Sequence, residues 1–149
     1  MNTSIAPTIQ QKIQIPYNYS AGPAVTKFLR GLKDKVIYAS VCGGCGKRSV
    51  PPLSFCGRCW QAIDSYAEVD QVGTIQSFVA PGAFPPELSA HPSQASFFGL
   101  IRLQDCSTNL VHLVQARPGY TLKIGDTVRP AWKEERTASI LDIACFMAE

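Results

Sequence analysis

Four cysteines in the segment SVCGGCGKRSVPPLSFCGRCWQ (40–61) are spaced as residues that bind a metal ion or form a redox couple. They form two Cys-x-x-Cys pairs, Cys42/Cys45 and Cys56/Cys59, with ten residues between the pairs. A Cys-x-x-Cys turn brings two thiolates to one ion, and two such turns complete the tetrahedron that zinc prefers. The spacing therefore predicts one structural Zn²⁺, because four protein ligands leave no coordination position open for a reaction.

Two other readings of the cysteines stay open. The same cage holds iron in rubredoxin-like electron carriers, and the residues alone do not separate the two metals. A dithiol redox couple needs only one pair, whereas both pairs here are equally equipped. The N-terminal stretch MNTSIAPTIQQKIQIP lacks the basic start and apolar run of a secretory signal. We therefore expect a cytoplasmic protein, in which such pairs are metal or redox sites rather than disulfides.

The elements around the cysteines divide the chain into four predicted segments. Residues 1–22 are polar and contain prolines, so we expect an extended N-terminal arm. An apolar stripe of Val25, Phe28, Leu29 and Leu32 predicts a helix over 23–36. The zinc ribbon is predicted over 37–62; a module of this size buries too little apolar surface to fold without a metal.

The remaining residues, 63–149, alternate short strand-like runs with Gly, Pro and Asp turns. The runs are expected at 65–69, 73–79, 97–103, 110–115, 127–134 and 139–146, with a proline-rich loop over 81–94. Such spacing predicts a small antiparallel barrel or sandwich. The residues alone therefore predict a mainly β chain with an N-terminal helix and a small four-cysteine module. No apolar run is long enough to cross a bilayer.

No recognisable catalytic arrangement accompanies the cysteine pairs. His91, in the proline-rich loop, is expected to be a plain loop residue or a contact for a ligand or partner. His112 is expected to be a solvent-facing or hydrogen-bonded strand residue. Cys106 and Cys145 stand alone and fit buried apolar positions. We therefore predict no catalytic residues in this chain.

The basic residues are concentrated in the first half of the chain. Seven lie between Ala24 and Trp60, against one acid, Asp34. The formal net charge of +3 falls to about +1 when four thiolates and one divalent ion are counted together. The first half could therefore attract an anion, or simply be a solvated basic face, while the whole chain is hardly a polycation.

Several short stretches together resemble a known prokaryotic family. They are the basic helix FLRGLKDK, the C-G-G-C-G and C-G-R-C pairs joined through Pro-Pro, the strand G-T-I-Q-S-F, and a K-I-G-D turn. In that family, long labelled a domain of unknown function, a helical segment and a rubredoxin-like zinc ribbon precede an OB-fold. The resemblance therefore implies a mainly β fold with an N-terminal helix, a rubredoxin-like zinc ribbon and an OB-fold-like antiparallel β-barrel. The resemblance covers about residues 24–147. One departure is Trp60, at a position where a second cysteine turn often has glycine.

The resemblance implies that this chain assists the catalytic activity of another protein. Members of that family look like accessory subunits of thiolase-fold enzymes: acetoacetyl-CoA thiolases, aldolases of steroid side-chain breakdown, and benzoylsuccinyl-CoA thiolase. It implies a non-catalytic, hetero-oligomeric partner of a thiolase-type subunit, with the benzoylsuccinyl-CoA branch favoured. Arg48 and Arg58 are then candidates to meet the phosphates of CoA.

Two other functions remain as alternatives. OB-folds bind single-stranded nucleic acid through aromatic side chains and a basic groove, and Phe55 and Trp60 lie beside Arg48 and Arg58 in the sequence. The near-neutral corrected charge makes this less expected, since strong binding needs several phosphate contacts. The third function is electron transfer by iron in the cysteine cage.

Overall fold

The structure, a computed structural model, describes residues 14–16, 19–80 and 96–149. Most of the predicted arm, the proline-rich loop and His91 lie outside these residues. The described part contains the helix α1 (Gly22–Lys33) and the strands β1 (Tyr38–Val41), β2 (Arg48–Ser49), β3 (Ser65–Glu68), β4 (Gly73–Val79), β5 (Ser96–Leu103), β6 (Leu110–Gln115), β7 (Thr127–Trp132) and β8 (Ile143–Ala148). No helix in these ranges is both long and apolar enough to span a membrane.

Helix α1 packs through the stripe that its sequence predicts. Pro23 stands in the first turn, where a missing N–H costs nothing. Phe28 and Leu32 are buried in the main core. At the other end, Nε of Arg136 donates to the carbonyl oxygen of Lys33 at 2.7 Å. A cation at a helix C-terminus is favourable because the free carbonyls there are negative.

The ribbon, as we name residues 38–68, is a small antiparallel sheet with strand order β2-β1-β3. Strand β1 is central, and its partners include Ser40↔Ser49 and Ser40↔Tyr66. The cysteine turns follow β1 and precede β3, so the sheet supports the turns from one side. This is the arrangement that positions the four thiols.

The barrel, as we name residues 73–148, is closed with strand order β4-β5-β6-β8-β7. Neighbouring strands are antiparallel except β6 and β8, which are parallel. Five strands in this order form the Greek-key barrel of an OB-fold. The predicted class, mainly β with an N-terminal helix, a four-cysteine module and an OB-fold-like barrel, is confirmed.

One continuous core joins α1, the base of the ribbon and the barrel. Phe28 of α1 and Val50 of the ribbon belong to the same cluster of buried side chains as Ile75 and Phe146 of the barrel. The hairpin between β5 and β6 also binds the ribbon directly. The Thr108 hydroxyl accepts from the N–H of Val50 at 2.7 Å and donates to its carbonyl oxygen at 2.8 Å.

The predicted strand over 139–146 is shorter in the structure. Residues Ile140–Asp142 form a 3₁₀ turn, and β8 begins only at Ile143. The carboxylate of Asp142, 2 % exposed, accepts from the N–H of Thr137 at 2.9 Å and of Ser139 at 3.1 Å. These bonds close a capping box, in which backbone groups bind side chains instead of a neighbouring strand.

Candidate metal centre

The four predicted ligands converge on one point. Their sulfur atoms all lie within 4.8 Å of one another. Cys42 and Cys59 are 3.4 Å apart, Cys45 and Cys56 are 3.5 Å apart, and Cys45 and Cys59 are 3.9 Å apart, each measured between Sγ atoms. A tetrahedron with metal–sulfur bonds of about 2.3 Å has sulfur–sulfur edges of about 3.8 Å. The cluster thus fits one tetrahedral metal ion, as in a zinc ribbon, and every cysteine in it is a free thiol.

Two turns of the same design hold these thiols. We call residues 42–47 the first knuckle and residues 56–61 the second knuckle. In the first, the N–H of Cys42 donates to Lys47 O at 2.9 Å, and the N–H of Gly46 donates to Cys42 O at 2.8 Å. In the second, the N–H of Cys56 donates to Gln61 O at 2.8 Å, and the N–H of Trp60 donates to Cys56 O at 2.9 Å.

Backbone N–H groups also prepare the leading thiol of each knuckle for metal binding. The N–H of Cys45, with that of Gly44, lowers the pKa of Cys42. The N–H of Cys59, then that of Arg58, lowers the pKa of Cys56 to about 6. Donors aimed at sulfur favour the thiolate, which is the metal-binding form.

The pKa of Cys59 shifts in the opposite direction from the pKa values of Cys42 and Cys56. Its pKa is raised to about 11: the N–H of Gln61 lowers it, but the contact with Cys42, desolvation and the contacts with Cys56 and Cys45 outweigh that donor. Sulfurs held this close resist becoming thiolates together. A bound cation removes that conflict, since it attracts every thiolate at once.

The two knuckles differ at the residue after the last cysteine. Gly46 and Trp60 both have positive φ, 69° and 60° respectively. Glycine adopts this conformation without strain, whereas a residue with a Cβ is strained there by about 1–2 kcal/mol. The indole of Trp60 is nevertheless 80 % exposed. The local sequence shows the tryptophan, but its strained backbone becomes visible only in the structure.

The metal centre has a sheltered side and an open side. Cys42 and Cys56 are buried against Ile63, whereas Cys59 is exposed. The knuckles also meet directly: a Cβ at Gly44 would overlap the side chain of Gln61. The far end of the exposed Gln61 side chain fills the space beside Gly44, so the two knuckles are in contact there.

The two arginines predicted for CoA binding lie on different parts of the ribbon. Arg48 is on β2 and half-buried, and its charge lowers the pKa of Cys106, although burial raises that pKa more. Arg58 is exposed between the two cysteines of the second knuckle. Within residues 14–16, 19–80 and 96–149, neither guanidinium forms an ion pair with a carboxylate.

The remaining histidine and cysteine predictions fall in the barrel. His112 is 7 % exposed, and its Nε2 lies 3.2 Å from the carbonyl oxygen of Ile140. A carbonyl only accepts, so the neutral ring carries its proton on Nε2, and the buried Nδ1 has no hydrogen-bond partner in the part of the chain that the structure describes. Burial lowers the pKa of His112 and raises that of Cys145 to about 11. Both cysteines outside the cluster are buried free thiols.

The face that OB-folds use for oligonucleotides is apolar in this barrel. That face is the outer side of the second and third strands, here β5 and β6. By alternation it carries Phe98, Leu100 and Val111. Its one cation in these two strands, Arg102, donates to Oδ1 of Asn109 at 3.0 Å. Single-strand binding by such a face is poorly supported, because it lacks a basic groove.

Comparisons with known proteins identify the fold. Neither a protein-family model nor a curated protein sequence matches the chain. Among solved structures, a protein of unknown function from the DUF35 family of Sulfolobus solfataricus matches with a TM-score of 0.62 and 22 % identity, over 86 % of this chain and 83 % of that one. The Ltp2–ChsH2(DUF35) aldolase matches with a TM-score of 0.61 and 19 % identity, over 88 % of this chain and 97 % of that one.

Proposed function

We propose that this chain is a DUF35-type accessory subunit of a thiolase-type acyl-CoA enzyme. It binds structural zinc, lacks catalytic residues of its own and supports a catalytic partner on another polypeptide. The complex would cleave a carbon–carbon bond in a CoA thioester by thiolysis or by a retro-Claisen or retro-aldol reaction. Benzoylsuccinyl-CoA, in the breakdown of aromatic compounds, is the substrate we favour.

One observation carries this proposal. The chain shares its fold, over nearly the whole length of both proteins, with a DUF35 structure that is described as part of an Ltp2–ChsH2 aldolase. In this chain the shared fold comes with a cluster of four cysteines that could hold a metal ion. The sequence resemblance to accessory subunits of thiolase-fold enzymes points in the same direction.

The chemistry of the cluster supports zinc as a structural ion. Four thiolates complete the coordination shell, so a reacting molecule has no position to occupy. The ion would replace the core that the ribbon lacks. Metal analysis of the purified chain decides between the candidates, since zinc gives a colourless protein and iron a coloured one.

Arg48 and Arg58 support a secondary part of the proposal, contact with the phosphates of CoA. Both are unpaired in the described structure, and residues 38–62 contain no acid. Charge reversal, R48E or R58E, should weaken binding of a CoA thioester to the complex. The matched control is K123E, because Lys123 is an exposed cation on a turn of the barrel. Unchanged affinity in both arginine variants would remove CoA contact from this chain.

The test of the main proposal is reconstitution. The tagged chain should be co-expressed with thiolase-fold proteins encoded beside its gene, and the complex measured by light scattering after gel filtration. We expect a stoichiometric hetero-oligomer that cleaves benzoylsuccinyl-CoA in the presence of CoA, whereas this chain alone is inactive. A chain that binds none of these proteins, or that turns over the thioester by itself, contradicts the proposal.

A further inference from the structure

The second knuckle carries a tryptophan that the metal centre does not need. Gly46 makes the same turn in the first knuckle, with the same hydrogen bond to the leading cysteine, and without a side chain. Trp60 makes that turn with a strained backbone and holds an indole that is 80 % exposed. Within residues 14–16, 19–80 and 96–149, no hydrogen bond or ring contact of this indole compensates for the strain. Strained residues of this kind often mark functional sites.

The hairpin around Trp60 presents further apolar surface on a rigid frame. Phe55 is 62 % exposed and Leu53 is 41 % exposed. The N–H of Ile63 donates to Ser54 O at 2.8 Å, which joins the two arms of the hairpin. The cysteine cluster fastens its tip. Exposed aromatic side chains held in advance in one position lose little freedom on association, and tryptophan is enriched among the residues that dominate protein–protein affinity.

The charges near the hairpin select the kind of surface that fits it. Residues 38–62 contain the cations Lys47, Arg48 and Arg58 and no acid, and the first acid after them is the exposed Asp64, just beyond the hairpin. A complementary surface therefore carries carboxylates around an apolar centre. Small ligands bind in clefts that enclose them, whereas the Trp60 side chain is 80 % exposed. A side chain that protrudes in this way suits insertion into a pocket of another protein.

We propose that the hairpin of residues 53–63 is a docking surface for the catalytic subunit, with Trp60 inserted in an apolar pocket that carboxylates surround. This interface rests on the proposed function, because that function supplies the partner. Arg58 lies at the edge of the contact, where its charge accelerates association and selects the partner. Trp60 provides the affinity, and the metal provides the rigidity.

The first experiment compares affinities of purified variants for the co-expressed thiolase-fold partner. W60G copies the first knuckle, so it relieves strain and should bind its metal as the wild-type chain does. We expect at least a 30-fold weaker affinity for the partner, the size of effect that defines a dominant interface residue. The control is I124A, at an exposed apolar residue on a turn of the barrel, and it should stay within twofold of the wild type.

The second experiment observes the indole directly. Trp60 and Trp132 are the two tryptophans of the chain, so 5-fluorotryptophan gives two ¹⁹F signals when only this chain is labelled. Addition of the unlabelled partner should shift the Trp60 signal. It should also abolish the change in chemical shift that this signal shows when H₂O is replaced by D₂O. Trp132, whose Nε1 donates to Gln71 at 3.0 Å, is half-buried and should change little.

The outcomes separate the interface from the function. If the wild-type chain forms the complex and W60G binds equally well, the interface proposal is wrong and the accessory function stands. If the wild-type chain forms no complex, both are wrong. A labelled oligothymidylate at low salt tests the nucleic-acid alternative: binding that W60G abolishes would identify the hairpin as a base-stacking platform and overturn the docking proposal.

Discussion

The ribbon and the barrel differ in the interactions that stabilise their folded structures. At the cysteines, the cluster of buried side chains in the described structure contains Cys42, Cys56 and Ile63, with Cys45 partly buried against them. The barrel shares a large apolar core with α1, centred on side chains such as Ile75 and Phe146. We therefore expect a bound ion to stabilise the cysteine turns and apolar burial to stabilise the barrel, so metal removal and core mutations should destabilise different regions.

The largest expected effect is loss of the metal. Replacing one cysteine of either knuckle, C45S or C59S, removes a predicted ligand and should unfold the two knuckles, because binding energy at such sites is folding energy. Metal content should fall from one ion to near zero per chain, and amide exchange should rise in residues 42–63 while the barrel stays protected. C106S, outside the cluster, should retain its metal. Retention of the ion in either knuckle variant contradicts the four-thiolate site.

The second-largest effect is expected from a variant that destabilises the barrel and leaves the ribbon intact. D142A leaves the N–H groups of Thr137 and Ser139 without their acceptor in a buried loop. We expect a loss of about 3 kcal/mol in the free energy of unfolding, measured in urea, with full metal content. D142N, which keeps one acceptor oxygen, should lose roughly half as much. Release of metal from D142A would show that the two regions are more tightly coupled than their cores suggest.

Third, Thr108 tests the two hydrogen bonds that connect the ribbon to the barrel in addition to their shared core. T108V keeps the shape of the side chain but removes the hydroxyl that both accepts from and donates to Val50. Two buried backbone groups then lack partners, which costs about 1–3 kcal/mol. The ribbon should exchange its amides faster at β2 while the interior of the barrel does not change. T108S retains the hydroxyl and is the control.

A fourth prediction concerns acid, which should act on the barrel through His112. Burial is the main cause that lowers its pKa below the ordinary 6.5, and the charge of Lys133 adds to it. The folded state therefore favours the neutral ring. The contribution of this preference to the free energy of unfolding is complete above pH 6.5 and is lost as the pH falls through the pKa of His112 in the folded state. Stability should decrease below pH 6.5 by up to about 1.4 kcal/mol per pH unit. In H112Q this part of the slope should disappear; an unchanged slope would assign it to other groups.

The smallest effect lies inside the ribbon, between the knuckles. G46A places a Cβ at positive φ in open space, so only backbone strain acts, and we expect about 1 kcal/mol of destabilisation. W60G removes the same strain and adds the freedom of glycine to the unfolded chain, so its net gain is between about 0 and 1 kcal/mol. Thermal unfolding of the metal-bound protein measures both. A destabilised W60G would mean that the indole supports the ribbon itself.

Local patterns predict several parts of this protein. The four ligands could be identified because each pair lies within one short turn, so its geometry depends little on the rest of the chain. The stripe through Phe28 and Leu32 predicts α1, which runs over Gly22–Lys33. Even the early turn before β8 has a local signal, since Ser139 and Asp142 have the spacing of a capping box.

Other features have no local signal. Apolar residues on both sides of His112 do not reveal which face of β6 is buried, and the structure places Val111 outward and His112 inward. Thr108 is separated from Val50 by 58 residues, so nothing near either one announces their bond. The positive φ of Trp60 also goes against the preference of its residue type.

The cysteine pairs, the helix and the strand-rich composition of the second half can be predicted from the amino-acid sequence, because each depends on neighbours a few residues apart. The closed strand order, the attachment of ribbon to barrel and the exposure of Trp60 become visible only in the folded chain. These depend on contacts between distant residues, whose free energy is gained only when the whole chain has folded.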